Sequence, residues 1–139
     1  MPYKFIEDVA IADIAFEATG KDLAELFQSA AQAVIESMAN TKTVKPAVKK
    51  EIEKKAKDIE TLLFEFLEEI VYLKDKDAMV FHDVKVKVND KEITLKATLT
   101  GDEIKPTEQE LHQDVKAITM HQYKVEKNKE WKARVVLDI

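Results

Sequence analysis

The chain has 139 residues, 45% of them hydrophobic and 35% charged, with a formal net charge of -5 and no cysteine. That length predicts a single domain over residues 1–139, large enough to bury a core without disulfides or a structural metal. No stretch approaches the roughly 18 to 20 apolar residues of a membrane span. The lack of cysteine excludes disulfides, thiolate metal sites and thiol catalysis, and it suits a cytoplasmic address; the segment from Met1 to Asp8 carries acids and lacks the basic start and long apolar run of a signal peptide. Because Arg134 is the single arginine, bidentate forks for phosphate are scarce, and with the acidic balance this argues against a dedicated nucleic-acid binder.

In chain order, Tyr3 to Ile6 and then Ile14, Phe16 and Ala18, alternating with Asp13, Ala15 and Glu17, predict a short strand leading into a half-buried one that Gly20 ends. From Lys21 to Asn40 the residues Leu23, Leu26, Phe27, Ala30, Ala31, Val34, Ile35 and Met38 keep helical spacing and predict an amphipathic helix. The segment from Val44 to Ala56 alternates apolar residues with lysines and reads as a strand. Asp58 is placed to cap a second helix, whose face is Ile59, Leu62, Leu63, Phe66, Leu67, Ile70 and Val71 and which ends near Lys74, where a cation suits the terminus. Met79 to Val88 and Glu92 to Thr100 flank the turn formers Asn89 and Asp90 as a β-hairpin. Thr107 and Glu110 have capping-box spacing and predict a short helical turn. Lys116 to Val125 and Trp131 to Ile139 form the last pair of strands, joined by a polar turn at Lys127 to Glu130. This order predicts an α+β fold, a mainly antiparallel β-sheet with two amphipathic helices packed on it.

The strand pattern runs to the final residue, so Ile139 is expected to be docked, with its carboxylate close to the Asp138 side chain. Two anions held together repel, and a bound cation is a common remedy. Asp13 lies within the otherwise apolar run from Val9 to Phe16, where an unpaired carboxylate would be costly if buried, and is the candidate third oxygen donor. Oxygen-only ligands favour calcium or magnesium over zinc. The competing reading is that Asp13 and Asp138 merely occupy the solvent faces of their strands. His82, His112 and His121 show no helical metal-ligand spacing, and the only serines, Ser29 and Ser37, sit inside the first helix, which disfavours a Ser-His-Asp hydrolase. Lys42 to Lys57 holds seven lysines and two glutamates; it reads either as a solvated face or as a basic strand that docks RNA or an acidic partner. Trp131 reads as a cover for one end of the core, with an interface role as the alternative.

Several segments together resemble the archease family, in its archaeal form. Ala12-Asp13-Ile14 followed by Gly20 and the Leu23-to-Leu26 helix start is similar to that family's opening. Lys116-Ala117-Ile118-Thr119-Met120-His121 with Lys124-Val125-Glu126 resembles its second signature, and Asp138-Ile139 resembles its ending. The resemblance implies a metal site, commonly calcium, at Asp13, Asp138 and Ile139. It also implies a non-catalytic activator of a GTP-dependent tRNA-splicing ligase, promoting guanylylation and repeated turnover, with tRNA met at most indirectly. One departure stands out: the family opening usually reads His-Thr-Ala-Asp, whereas this chain has Ala10-Ile11-Ala12-Asp13, so the support around the site differs. Competing readings are a chaperone or RNA-binding adaptor working through the lysine-rich strand, and a metal-dependent phosphoesterase using the same carboxylates.

Overall fold

In the computed structural model, which describes residues 3–6 and 13–139, the elements run β1 (Tyr3–Ile6), β2 (Asp13–Gly20), α1 (Leu23–Met38), β3 (Val48–Lys55), α2 (Ile59–Asp77), β4 (Met79–Asn89), β5 (Thr94–Glu103), β6 (Ala117–Lys127) and β7 (Trp131–Asp138). The α+β class, the two helices and the antiparallel pairing are as expected. The strands, however, divide into a four-stranded sheet, β1-β2-β7-β6, and a three-stranded sheet, β3-β5-β4.

Both helices start where capping chemistry dictates. Asp22 accepts from the Glu25 amide at 2.8 Å and Asp58 from the Thr61 amide at 2.7 Å, each satisfying an otherwise orphaned donor of the first turn. Helix α1 touches β2 in one sheet and β4 in the other, so its buried residues surround it: Leu26, Phe27, Ala30, Ala31, Val34 and Ile35 are fully covered, and even Ser29 and Ser37 are buried. Those two hydroxyls are satisfied by the carbonyls of Glu25 and Ala33 one turn back. Helix α2 stacks Phe66 on Phe27 with ring centroids 6.2 Å apart and meets β6 through Phe64 and Tyr123, whose hydroxyl donates to the Glu60 carbonyl at 2.7 Å. Gly20 is required by close approach, since a Cβ there would stand 2.3 Å from the Leu26 amide nitrogen.

Four expectations shift at their edges. The third strand begins at Val48 rather than Val44, because residues 41–43 form a 3-10 turn capped by Asn40 and Pro46 lacks the amide for ladder pairing. Helix α2 runs past Lys74 to Asp77. The fifth strand starts at Thr94 because the Asn89 side chain accepts from the amides of Lys91 and Glu92, folding both into the turn, and Ile93 takes φ 53°. The capping box at Thr107 and Glu110 does not form a helix. Residues 106–108 are a turn in which buried Gln109 accepts from the Lys105 amide at 2.8 Å and donates to the Glu103 carbonyl at 2.8 Å, and that glutamine does the organising expected of Thr107.

The connection from residue 104 to 116 is ordered by its anchors. His112 and Gln113 amides donate to the Met38 and Ser37 carbonyls at the end of α1, and the His112 ring nitrogen Nδ1 lies 2.7 Å from the Glu36 carbonyl. A helix end with no basic residue in its last turn is thereby satisfied from another segment. Buried Lys74 holds the far end: its ammonium donates to Asp114 at 2.6 Å and to the Val115 carbonyl at 2.7 Å, and pairs with Asp75 at 2.9 Å. Burial alone would lower its pKa, but the bonds to Asp114 and Asp75 outweigh that and hold it above its ordinary value.

Candidate functional site

Strand β7 is central in its sheet, and its alternation decides what each face carries. Ile14, Phe16 and Ala18 of β2 lie opposite Leu137, Val135 and Ala133 of β7, all turned to the helices. A period of two then sends Asp13, Ala15, Glu17 and Thr19, with Asp138, Val136, Arg134 and Lys132, to the other face. At one end of that face Asp13 and Asp138 are direct partners across the antiparallel pair, which sets their Cβ atoms about 4.5–5.5 Å apart. Both residues are half-buried, as is Ile139. Ala117 of β6 flanks Asp138 on its other side, so no cation adjoins it across the ladder there. The Lys116 amide donates to the Asp138 carbonyl at 2.8 Å. Lys74 therefore reaches this corner in two steps, through Asp114–Val115 and then Lys116.

The register thus brings Asp13 and Asp138 side by side, and Ile139 follows Asp138 directly. Their donor chemistry fits a hard divalent cation in kind, being all oxygen. Among the described residues no group of three or more acidic, cysteine or histidine side chains is placed to hold a metal; the side chains offer two carboxylates, and main-chain oxygens and solvent would complete a shell. Residues 10–12, where the opening departs from His-Thr-Ala, lie outside the described residues.

The other singled-out residues have structural surroundings. His82 points Nδ1 at the carbonyls of Thr41 and Val44, tying β4 to the turn before β3. His121 is exposed. Trp131 packs on the core as expected, with the Lys127 ammonium 5.6 Å from its ring centroid. The lysine-rich strand does not present one basic face. Lys50 and Lys54 pair with Asp77 and Glu69 of α2 at 3.0 and 3.5 Å, while strand alternation sends Lys49 and Lys55 to the opposite side. A groove of about 860 Å³ on that opposite side is lined by Lys85, Lys87 and Lys96 but equally by Glu51, Glu53 and Asp83, so it has no net charge to attract a polyanion.

What sequence reasoning missed is the excursion in β6. Pairing with β7 breaks between Thr119 and Lys124, Gln122 takes φ 54°, and Met120 is 65% exposed. No local pattern in the run from Ala117 to Lys127 marks the break.

Comparisons with known proteins agree on the whole chain. The Archease protein family (MTH1598/TM1083) matches residues 3–139. Two curated relatives named protein archease, from Thermococcus kodakarensis and Pyrococcus furiosus, are 39% and 36% identical over 132 residues, covering 92% of this chain and 93% of theirs. The solution structure of protein 1598 from Methanobacterium thermoautotrophicum superimposes with a TM-score of 0.84 at 35% identity, covering 99% of both chains. A Thermotoga maritima archease crystal structure, 21% identical and covering 94% of this chain and 93% of its own, shares the fold with a TM-score of 0.65.

Proposed function

The chain belongs to the archease family, and from that membership and the carboxylate pair we propose that it is a non-catalytic activator of a GTP-dependent tRNA-splicing RNA ligase. The observation that carries the reading is the register that sets Asp13 opposite Asp138 at one end of the β2–β7 ladder. In this reading Asp13, Asp138 and a main-chain oxygen of Ile139 hold a divalent cation, calcium by preference. Asp13 and Asp138 supply the charge, and the strand ladder supplies the spacing, with the Lys116 amide fixing the Asp138 main chain. A cation held there would supply Lewis-acid stabilisation of phosphoryl oxygens. Half-burial raises the cost of leaving two like charges together, and so favours retention of the ion. The activity expected is promotion of ligase guanylylation and of repeated turnover, in the cytoplasm, with RNA handled by the ligase.

The test is a multiple-turnover RNA ligation assay with the cognate ligase, with and without this protein, beside calcium titration of the free protein by calorimetry. Asp138→Asn should bind calcium at least ~10-fold more weakly, since it removes one of two charged ligands, and should lose its stimulation in parallel. A folded Asp138→Asn protein that stimulates as well as wild type would overturn the metal reading. No stimulation by the wild type would overturn the activator reading.

A further inference from the structure

The face that carries Asp13 and Asp138 also carries a second like-charge pair, of opposite sign. One cross-strand row runs Lys4, Glu17, Arg134, Lys124 over β1, β2, β7 and β6, each residue the direct partner of the next. The acid row lies four residues further along β7, about 14 Å away at strand rise. Between the two rows lie Ala15, Val136 and Thr119. From Arg134 and Lys124 of this row, with Gln122 beside them, we infer a binding site for a phosphate group carried by a nucleotide or by an RNA.

Three observations support the assignment. Cations placed directly opposite on neighbouring strands repel, an arrangement that costs stability unless an anion joins them. Glu126 compensates Lys124 at 3.1 Å, but Glu17, the cross-strand partner of Arg134, is engaged by Lys4 at 3.3 Å, and Arg134 has no ion pair among the described residues. Second, the guanidinium is held in place. Its Nη2 donates to Gln122 Oε1 at 2.8 Å, and Gln122 sits in the β6 excursion at φ 54°, a left-handed conformation that a glutamine adopts at a cost. Third, Arg134 Nε is buried with no acceptor among the described residues, so the protein itself satisfies the guanidinium only in part.

Phosphate suits this row better than carboxylate. A guanidinium fork alone satisfies the two coplanar oxygens of a carboxylate, whereas a tetrahedral phosphate presents a further oxygen for the Lys124 ammonium. The single arginine of the chain stands where that geometry is needed, and a lysine there would offer only a point charge. The site rests on the basic row alone and requires no metal at the carboxylates.

The experiment is a titration of the isotope-labelled full chain with inorganic pyrophosphate, at fixed ionic strength and without divalent ions, followed by NMR. Saturable shifts are expected at Arg134 Nε, the Gln122 side chain and the Lys124 amide. Arg134→Lys keeps the charge and loses the fork, and should weaken binding by roughly tenfold; Gln122→Ala, which frees the guanidinium, should weaken it by a smaller factor. Lys49→Gln, on the outer face of the other sheet, should leave binding unchanged. GTP and a short 5′-phosphorylated RNA then identify the source, the tighter of the two being the phosphate carrier, with an acidic peptide as the competing class. The proposal is overturned if Arg134→Lys binds pyrophosphate as wild type does, if no saturation occurs below ~10 mM, if neither phosphate carrier binds tighter than pyrophosphate, or if the acidic peptide outcompetes both.

Discussion

Replacing Lys74 by methionine tests how the 104–116 connection is held. The side chain is 5% exposed, and its ammonium serves Asp114, Asp75 and the Val115 carbonyl at 2.6–2.9 Å. Methionine preserves most of the stem volume, so cavity terms stay small. Asp114 and Asp75 are 77% and 59% exposed; both return to water, and the lost ion pairs cost at most about 1 kcal/mol. The Val115 carbonyl is different, because Val115 is fully buried and its acceptor loses its partner, at about 1–3 kcal/mol. The sum, about 1–4 kcal/mol, corresponds to a fall in Tm of ~3–16 °C for a domain of this size. Calorimetry measures it, and the Lys116 amide resonance should move with it, since that amide bonds Asp138. A fall below ~2 °C would refute the reasoning, because it would mean that the carbonyl finds another donor and that the tether adds nothing.

Three further outcomes are expected. The His112 pKa is raised, chiefly by its hydrogen bond to the Glu36 carbonyl, with burial opposing and the Glu110 carboxylate adding to the rise, so its stabilisation is full below the unfolded value of ~6.5 and is lost as pH rises through the folded value. Urea denaturation of His112→Gln should show a deficit of about 0.3–1 kcal/mol at pH 5.5, as for an exposed cation at a helix C-terminus, that closes by pH 9; an equal deficit at both pH values would exclude the charge. The Asp114 pKa is held low by Lys74, so that contribution is present above ~3.9 and lost as pH falls through the folded value; the Tm gap between wild type and Lys74→Met should narrow below pH 4 in melts recorded from pH 6 to pH 3. Gly20→Ala sets a Cβ 2.3 Å from the Leu26 amide nitrogen, a backbone atom that cannot swing away, and should destabilise by about 3 kcal/mol, measured by denaturant unfolding.

The helices were legible because their signals are local: unbroken apolar spacing in both, and a cap at Asp58 for the second. The carboxylate pair was legible for another reason, namely that two acids within apolar, strand-patterned segments leave few places to go. The division into two sheets was not readable, because β2 pairs with β7 across more than a hundred residues and alternation names a face without naming a neighbour. Lys74 looked like a helix-end cation because its partners, Asp114 and Val115, lie forty residues away. Lys50 and Lys54 looked like members of a basic run for the same reason, their acids being on α2.

Helix α1, wedged between two sheets with little solvent face, has a consequence for which parts of the molecule can move. Its central amides should exchange with deuterium only through global unfolding, whereas residues 120–123, outside the β6–β7 ladder, should exchange through local opening. Opening of the excursion would release Gln122 from Arg134 while the framework behind Asp138 stays fixed.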